Sequence, residues 1–174
     1  MNEEMSAQGG SASGGKKGST WFLRGVLLIM ALIALAVGIF AVPAIYNATP
    51  KEYPVDINYL RLFVGGLYLS IIPFYVALYQ ALKLLNFIDH DTAFSEASVS
   101  ALKTIKYSAI AVSVLHGTAI PFLFQIAELD DAPGVLVLAL AFTCAPLVIA
   151  VFAAVLEKLL QNAISIKSEN DLTV

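Results

Sequence analysis

Residues 25–50 read GVLLIMALIALAVGIFAVPAIYNATP, a stretch from Gly25 to Pro50 without a single charged side chain. A helix needs about 20 apolar residues to cross a hydrocarbon core roughly 30 Å thick, and this stretch is long enough. Trp21 and Tyr46 flank its most apolar part, at the depths where amphipathic rings favour the membrane interface. A signal peptide would have a shorter apolar region, about 7–15 residues, and Pro43 would sit badly in a cleavage site. The stretch predicts an uncleaved first span.

Three further runs repeat the pattern. Leu62 to Leu82 lies uncharged between Arg61 and Lys83 and contains Gly65, Gly66 and Pro73, which is expected to kink its helix. Tyr107 to Ala127 contains Pro121. Ala132 to Leu156 contains Pro146, with Pro133-Gly134 expected to form the tight turn before it. The fold class is therefore all-α, an integral membrane four-helix bundle with spans at about 22–46, 60–83, 106–127 and 133–157. These belong to a domain over residues 21–168, preceded by a Gly/Ser-rich segment (1–20) whose composition predicts a flexible tail.

The composition agrees. Hydrophobic residues make up 59% of the 174 and charged residues only 13%, where a soluble domain carries roughly a quarter charged. A net charge of −3 with scattered Lys and Arg leaves no basic patch for direct nucleic-acid binding. Cys144, the one cysteine, cannot close an intramolecular disulfide and reads as a small packing residue.

Orientation follows from the basic residues. One side holds Lys16, Lys17, Arg24, Lys83, Lys103, Lys106, Lys158 and Lys167, and the other only Lys51 and Arg61. Eight against two places both termini and the loop over residues 83–106 in the cytoplasm of an inner membrane, and the acidic turn Glu128-Leu129-Asp130-Asp131 outside.

Ser95 stands where its hydroxyl can cap a helix starting at Glu96, with Phe94 and Val99 spaced as a hydrophobic staple. Val99, Leu102 and Ile105 then repeat on one side, with Lys103 and Lys106 off that line, so an amphipathic lead-in is expected to run into the third span. After the fourth span, Leu159, Leu160, Ala163, Ile164 and Ile166 continue the helical period to about Ser168.

Signs of chemistry are few. Mid-span ionisable residues mark most intramembrane sites, and the strongly polar candidates here are His116 and Gln125. His116 is expected to find a hydrogen-bond partner in Ser113 or Thr143. Asp89-His90-Asp91 reads as a polar loop, since adjacent residues do not converge easily on one ion. No phosphate-binding loop or nucleophile elbow occurs, so the sequence predicts no enzyme, no metal and no cofactor.

Two short stretches carry a resemblance: Ala93-Phe94-Ser95-Glu96 with Leu102-Lys103, and the close Glu169-Asn170-Asp171-Leu172-Thr173-Val174. They resemble a family of small four-span bacterial membrane proteins catalogued as a domain of unknown function. Its members end in Glu-Asn-Asp-Leu-Thr-Ile or a close variant and have Asn-Pro-Phe where this chain has Thr92-Ala93-Phe94. Family genes often lie beside one for a small helix-turn-helix DNA-binding protein. The resemblance thus implies a regulatory or sensing role with such a cytosolic partner, contacted through Phe94, Ser95, Glu96, Glu169, Asn170, Asp171, Leu172 and Thr173. The alternative is a transporter or permease accessory subunit, acting as a homo-oligomer because four spans are few.

Overall fold

The computed structural model describes residues 11–171, and among these it contains helices and no strand. The helices are α1 (Ser11–Ala36), a π-helical turn (Val37–Ala41), α2 (Val42–Glu52), α3 (Ile57–Asp89), α4 (Glu96–Gly117), α5 (Ile120–Leu129) and α6 (Pro133–Asp171). They form four rods, Thr20–Glu52, Ile57–Asp89, Glu96–Leu129 and Pro133–Glu169, each long and apolar enough to cross a membrane.

Burial explains why the composition is so apolar. At most 22% of the most apolar window of any rod is buried inside the protein. Phe40 is 73% exposed and Leu138 72%. Such faces would drive aggregation in water but match a hydrocarbon solvent, in which every backbone polar group must be paired within its own helix.

The rods pack largely in chain order. The first leans chiefly on α3, α3 packs on α4, and α4 lies along α6. The best-buried cluster joins α3 to α5 at the end of the bundle away from the termini. Leu60, Phe63, Ala119 and Phe122 meet there, with the Phe63 and Phe122 rings stacked 4.8 Å apart.

The prolines inside the last three spans act differently, and only Pro73 was expected to kink its helix. Pro73 and Pro146 lie inside helices that continue past them. Pro121 breaks the third span, because it has no N–H and its ring would meet the Gly117 carbonyl four residues back. There α4 ends at Gly117, Thr118 and Ala119 donate to Leu115 and His116 in tight i→i−3 turns, and α5 opens with Pro121 in its first turn. In the first span, Pro43 is the second residue of α2, which follows the π-helical turn.

The turn between the last two rods is not Pro133-Gly134. It is Asp130-Asp131-Ala132, with Asp131 in the left-handed region (φ 49°) that a short polar side chain tolerates. Pro133 instead opens α6, where its missing N–H costs nothing. At the opposite ends of the chain the helices run on. Backbone helix begins at Ser11, within the segment expected to be flexible, since extending a formed helix needs no new nucleus. No glycine or proline follows Pro146 in α6, which passes Ser168 and reaches Asp171.

One interaction outside the spans carries a pH dependence. The Tyr53 hydroxyl donates to Asp130 Oδ2 at 3.0 Å, and that carboxylate holds the phenol above its usual value of 10.0. A raised folded pKa means that the contact contributes fully below about pH 10 and is lost as pH rises through the raised value. In an ultraviolet titration Asp130→Asn is expected to ionise Tyr53 at lower pH. An unchanged tyrosinate curve would show that the contact does not form.

Candidate functional site

Polar groups gather at three levels of the bundle. At the end that carries the termini, the Ser95 hydroxyl caps α4, accepting from the Ser98 N–H, and Ser98, Val99, Ala101 and Leu102 are buried. The amphipathic lead-in is thus an integral part of α4. Phe94, however, stays 67% exposed. Ser95 is committed to its cap, and Glu96 is exposed in the first turn.

Two ion pairs fasten this end. Lys106 Nζ lies 2.7 Å from Glu157 Oε2, joining α4 to α6, and sits over the Tyr107 ring. Both charged side chains are largely shielded, so neither is easily left alone. Replacing either by Ala is expected to lower the melting temperature in detergent. The exchanged pair, Lys106→Glu with Glu157→Lys, is expected to recover part of the loss. No recovery would mean the contact is not one of charge. The second pair, Arg24 with Asp89 at 2.6 Å, ties the first span to the end of α3, where Arg24 also reaches Asn86. His90 Nδ1 faces the Asn86 carbonyl at 2.8 Å. Among the described residues no cluster of three metal-ligating side chains occurs.

The C-terminal candidates are only partly in view. Glu169 is exposed on the last turns of α6, and the backbone of Asn170 and Asp171 continues that helix. Leu172 and Thr173 lie outside the described residues.

The middle level holds His116, one residue before α4 ends. Neither expected partner reaches it. The Ser113 hydroxyl donates to the Thr143 carbonyl across the α4–α6 interface at 2.6 Å, and the Thr143 hydroxyl donates to Ala139 within α6. The His116 imidazole stacks on Phe142, with centroids 4.8 Å apart. The Phe142 carbonyl itself lacks its helical donor, because residue 146 is proline. His116 Nδ1 is buried without a hydrogen bond.

His116 also lines a cavity of about 370 Å³ between the first span and the other three. Met30, Ala34 and Val37 of the first rod face Leu67, Ser70 and Phe74 of α3 across it, with Val112 of α4 and Phe142 of α6 completing the wall. Gln125 has no part in this cavity. It lies near the far end of the bundle, where its side chain accepts from the Asp56 N–H at 3.3 Å and steadies the capped start of α3.

Other residues escaped the sequence reading. Tyr68 and Tyr75 of α3 donate to the Gly38 and Ala31 carbonyls of the first span, at 3.1 and 2.7 Å. The π turn explains the first of these. Val42 N–H bonds to Val37 O, five residues back, so in that register the donor due to Gly38 O is residue 43, a proline without N–H. Proline inside an apolar run followed by a tyrosine-bearing span was the available signal. Of the Gly65-Gly66 pair, whose small size suits close helix approach, it is Gly66 that meets Leu115 and Thr118, which depends on how α3 crosses α4. Cys144 is exposed on the outer face of α6 and packs no core.

Four apolar rods tied by hydroxyl–carbonyl bonds and by ion pairs at one end define a polytopic all-helical membrane protein. More narrowly, the chain belongs to the family described as "Protein of unknown function (DUF2975)", whose profile matches residues 26–174. It is 50% identical over 157 residues to the uncharacterized membrane protein YoaS of Bacillus subtilis (strain 168), a match covering 90% of this chain and 98% of that protein. No solved structure matches it significantly.

Proposed function

We propose that the chain is a non-enzymatic regulatory or sensing protein of the bacterial inner membrane, with both termini in the cytoplasm, that engages a small cytosolic helix-turn-helix DNA-binding protein. The observation that carries this reading is the length of α6. Its 39 residues make a rod of about 58 Å at 1.5 Å per residue, against the ~30 Å a hydrocarbon core requires. The surplus projects on the side of the termini, beyond the point where Lys106 of α4 and Glu157 tie the two helices together. The exposed side chains of Leu159 and Ile166 on α6, and of Phe94 beside the start of α4, supply apolar contacts for a partner. The basic side chains on this side orient it towards the cytoplasm.

Cross-linking in native membranes tests the proposal, comparing the full chain with one ending at Lys167. A DNA-binding protein captured by the full chain and lost on truncation supports it. Capture of none by either chain would remove it. The transport-accessory alternative draws on the broken third span beside His116, since discontinuous helices build midplane sites in transporters. Abolished transport in a folded His116→Ala variant would favour that reading. Disulfide cross-linking through Cys144, exposed on α6, would report the homo-oligomer it needs.

A further inference from the structure

We propose that α6 pairs in parallel with α6 of a second copy of this chain, along a seam that runs from the membrane interior out into water. The fold leaves that face open. Ala139, Ala150 and Ala153 are buried and Glu157 meets Lys106, so this side of α6 is turned towards α4 and α5. On the opposite side Leu138, Ala141, Ala145, Val148, Phe152 and Val155 are all exposed. Their separations alternate between three and four residues, the a/d spacing of a heptad repeat.

Within hydrocarbon this spacing selects nothing, because lipid tails cover an apolar face as well as protein does. The repeat, however, continues past Glu157-Lys158, where the uncharged run ends. Leu159, Asn162 and Ile166 keep the same alternation, and all three are exposed. Ile166 stands ten residues beyond Leu156, about 15 Å along the axis and out of reach of the lipid tails. There the apolar side chains face water, and burial against protein is favoured. The line from Leu138 to Ile166 spans four heptads, the length at which such a repeat argues for a coiled coil.

Three features select a second copy as the occupant. Every copy inserts in the same direction, so like residues meet across a two-fold axis along the membrane normal, already in parallel register. Asn162 occupies a seam position, where a polar group is costly unless paired. Its amide carries both donors and acceptors, so two copies satisfy each other. No charge stands in the seam, and the flanking Lys158 falls opposite Ala163 of the second copy rather than opposite another lysine. The pairing goes beyond the proposed function and needs no regulator. Phe94, which precedes α4, is not part of it.

The test uses the full chain in native membranes, with Cys144→Ala and single cysteines placed in turn at exposed positions beyond Lys158. Under mild oxidation Leu159→Cys and Ile166→Cys are each expected to link two chains, because a parallel seam brings equal positions near the Cβ separation of about 3.5–4.5 Å that a disulfide needs. Gln161→Cys and Ser168→Cys, exposed but off the seam, should give no link. All four replace exposed side chains outside the hydrocarbon, so folding is not at stake. Leu159→Asp sets like charges against each other across the axis and should abolish the Ile166→Cys link. Four outcomes would overturn the proposal: no link at 159 and 166, equal links at all four positions, links at 159 and 166 only to a different protein, or an Ile166→Cys link that survives Leu159→Asp.

Discussion

Gly66→Ala is expected to cost the purified protein about 1–3 kcal/mol in detergent, the usual penalty for overpacking a tight contact, whereas Gly65→Ala should cost nothing. A methyl group on Gly66 would lie 2.8 Å from the Leu115 carbonyl oxygen and run into the Thr118 side chain. That carbonyl is the acceptor for both the Thr118 N–H and its hydroxyl, so it cannot retreat without loosening the break in the third span. At Gly65 nothing lies within 4 Å of the added carbon, and replacing a helical glycine there should gain up to about 1 kcal/mol of helix propensity. The two neighbours therefore shift stability in opposite directions, a contrast read directly from paired melting curves. Equal behaviour would mean that α3 and α4 do not cross at this point.

Tyr68→Phe should give the second large effect, about 1–2 kcal/mol, because it strips the donor from a carbonyl that has no replacement inside a membrane. Gly38 O lost its helical partner to Pro43, and Tyr68 supplies the substitute. Tyr75→Phe removes a similar bond, but to Ala31 within the uninterrupted part of α1. Its cost should stay near the ~0.6 kcal/mol average for interhelical bonds in membranes. The decisive comparison is a double-mutant cycle with Pro43→Ala. Restoring an N–H at residue 43 should shrink the cost of Tyr68→Phe, and full additivity would show that the hydroxyl and the proline act independently.

The Tyr68 contact shows how a bundle in hydrocarbon handles a broken helix. A proline or π turn frees a carbonyl, and a side chain from another helix takes it up, as Tyr68 does for Gly38. In water such carbonyls would find solvent, but in hydrocarbon they must be met by protein. The first span is consequently held by few but specific contacts.

Much of the architecture was legible from residues alone. Uncharged runs such as Gly25–Pro50 have one stable solution in a bilayer, because an unpaired backbone group there costs several kcal/mol. Helix ends with their own chemical signals were legible too. Ser95 capped α4 as its hydroxyl predicts, since capping depends on the next three residues and on nothing distant. Pro133 shows how a local signal misleads when it has two uses: proline suits a turn and also the first residue of a helix, and it took the second.

His116 marks the limit of that reading. Its type and depth identified it as a polar group needing a partner, but the partner was set by the rotation of α6 against α4. That rotation committed Ser113 and Thr143 to backbone carbonyls and brought Phe142 to the imidazole. Gln125 was singled out for the same reason and proved to be a tether for Asp56, because the break at Pro121 lies between it and His116. Hydrophobic composition determined that the chain crosses the membrane four times as helices, since the transfer of each run depends only on its own residues. Which carbonyl each hydroxyl meets, whether Gly66 or Gly65 lies at the crossing, and where a cavity remains were decided by tertiary structure. In hydrocarbon, apolar faces are nearly interchangeable, and the relative rotation of the helices is selected by a few small residues and hydrogen bonds far apart in the chain.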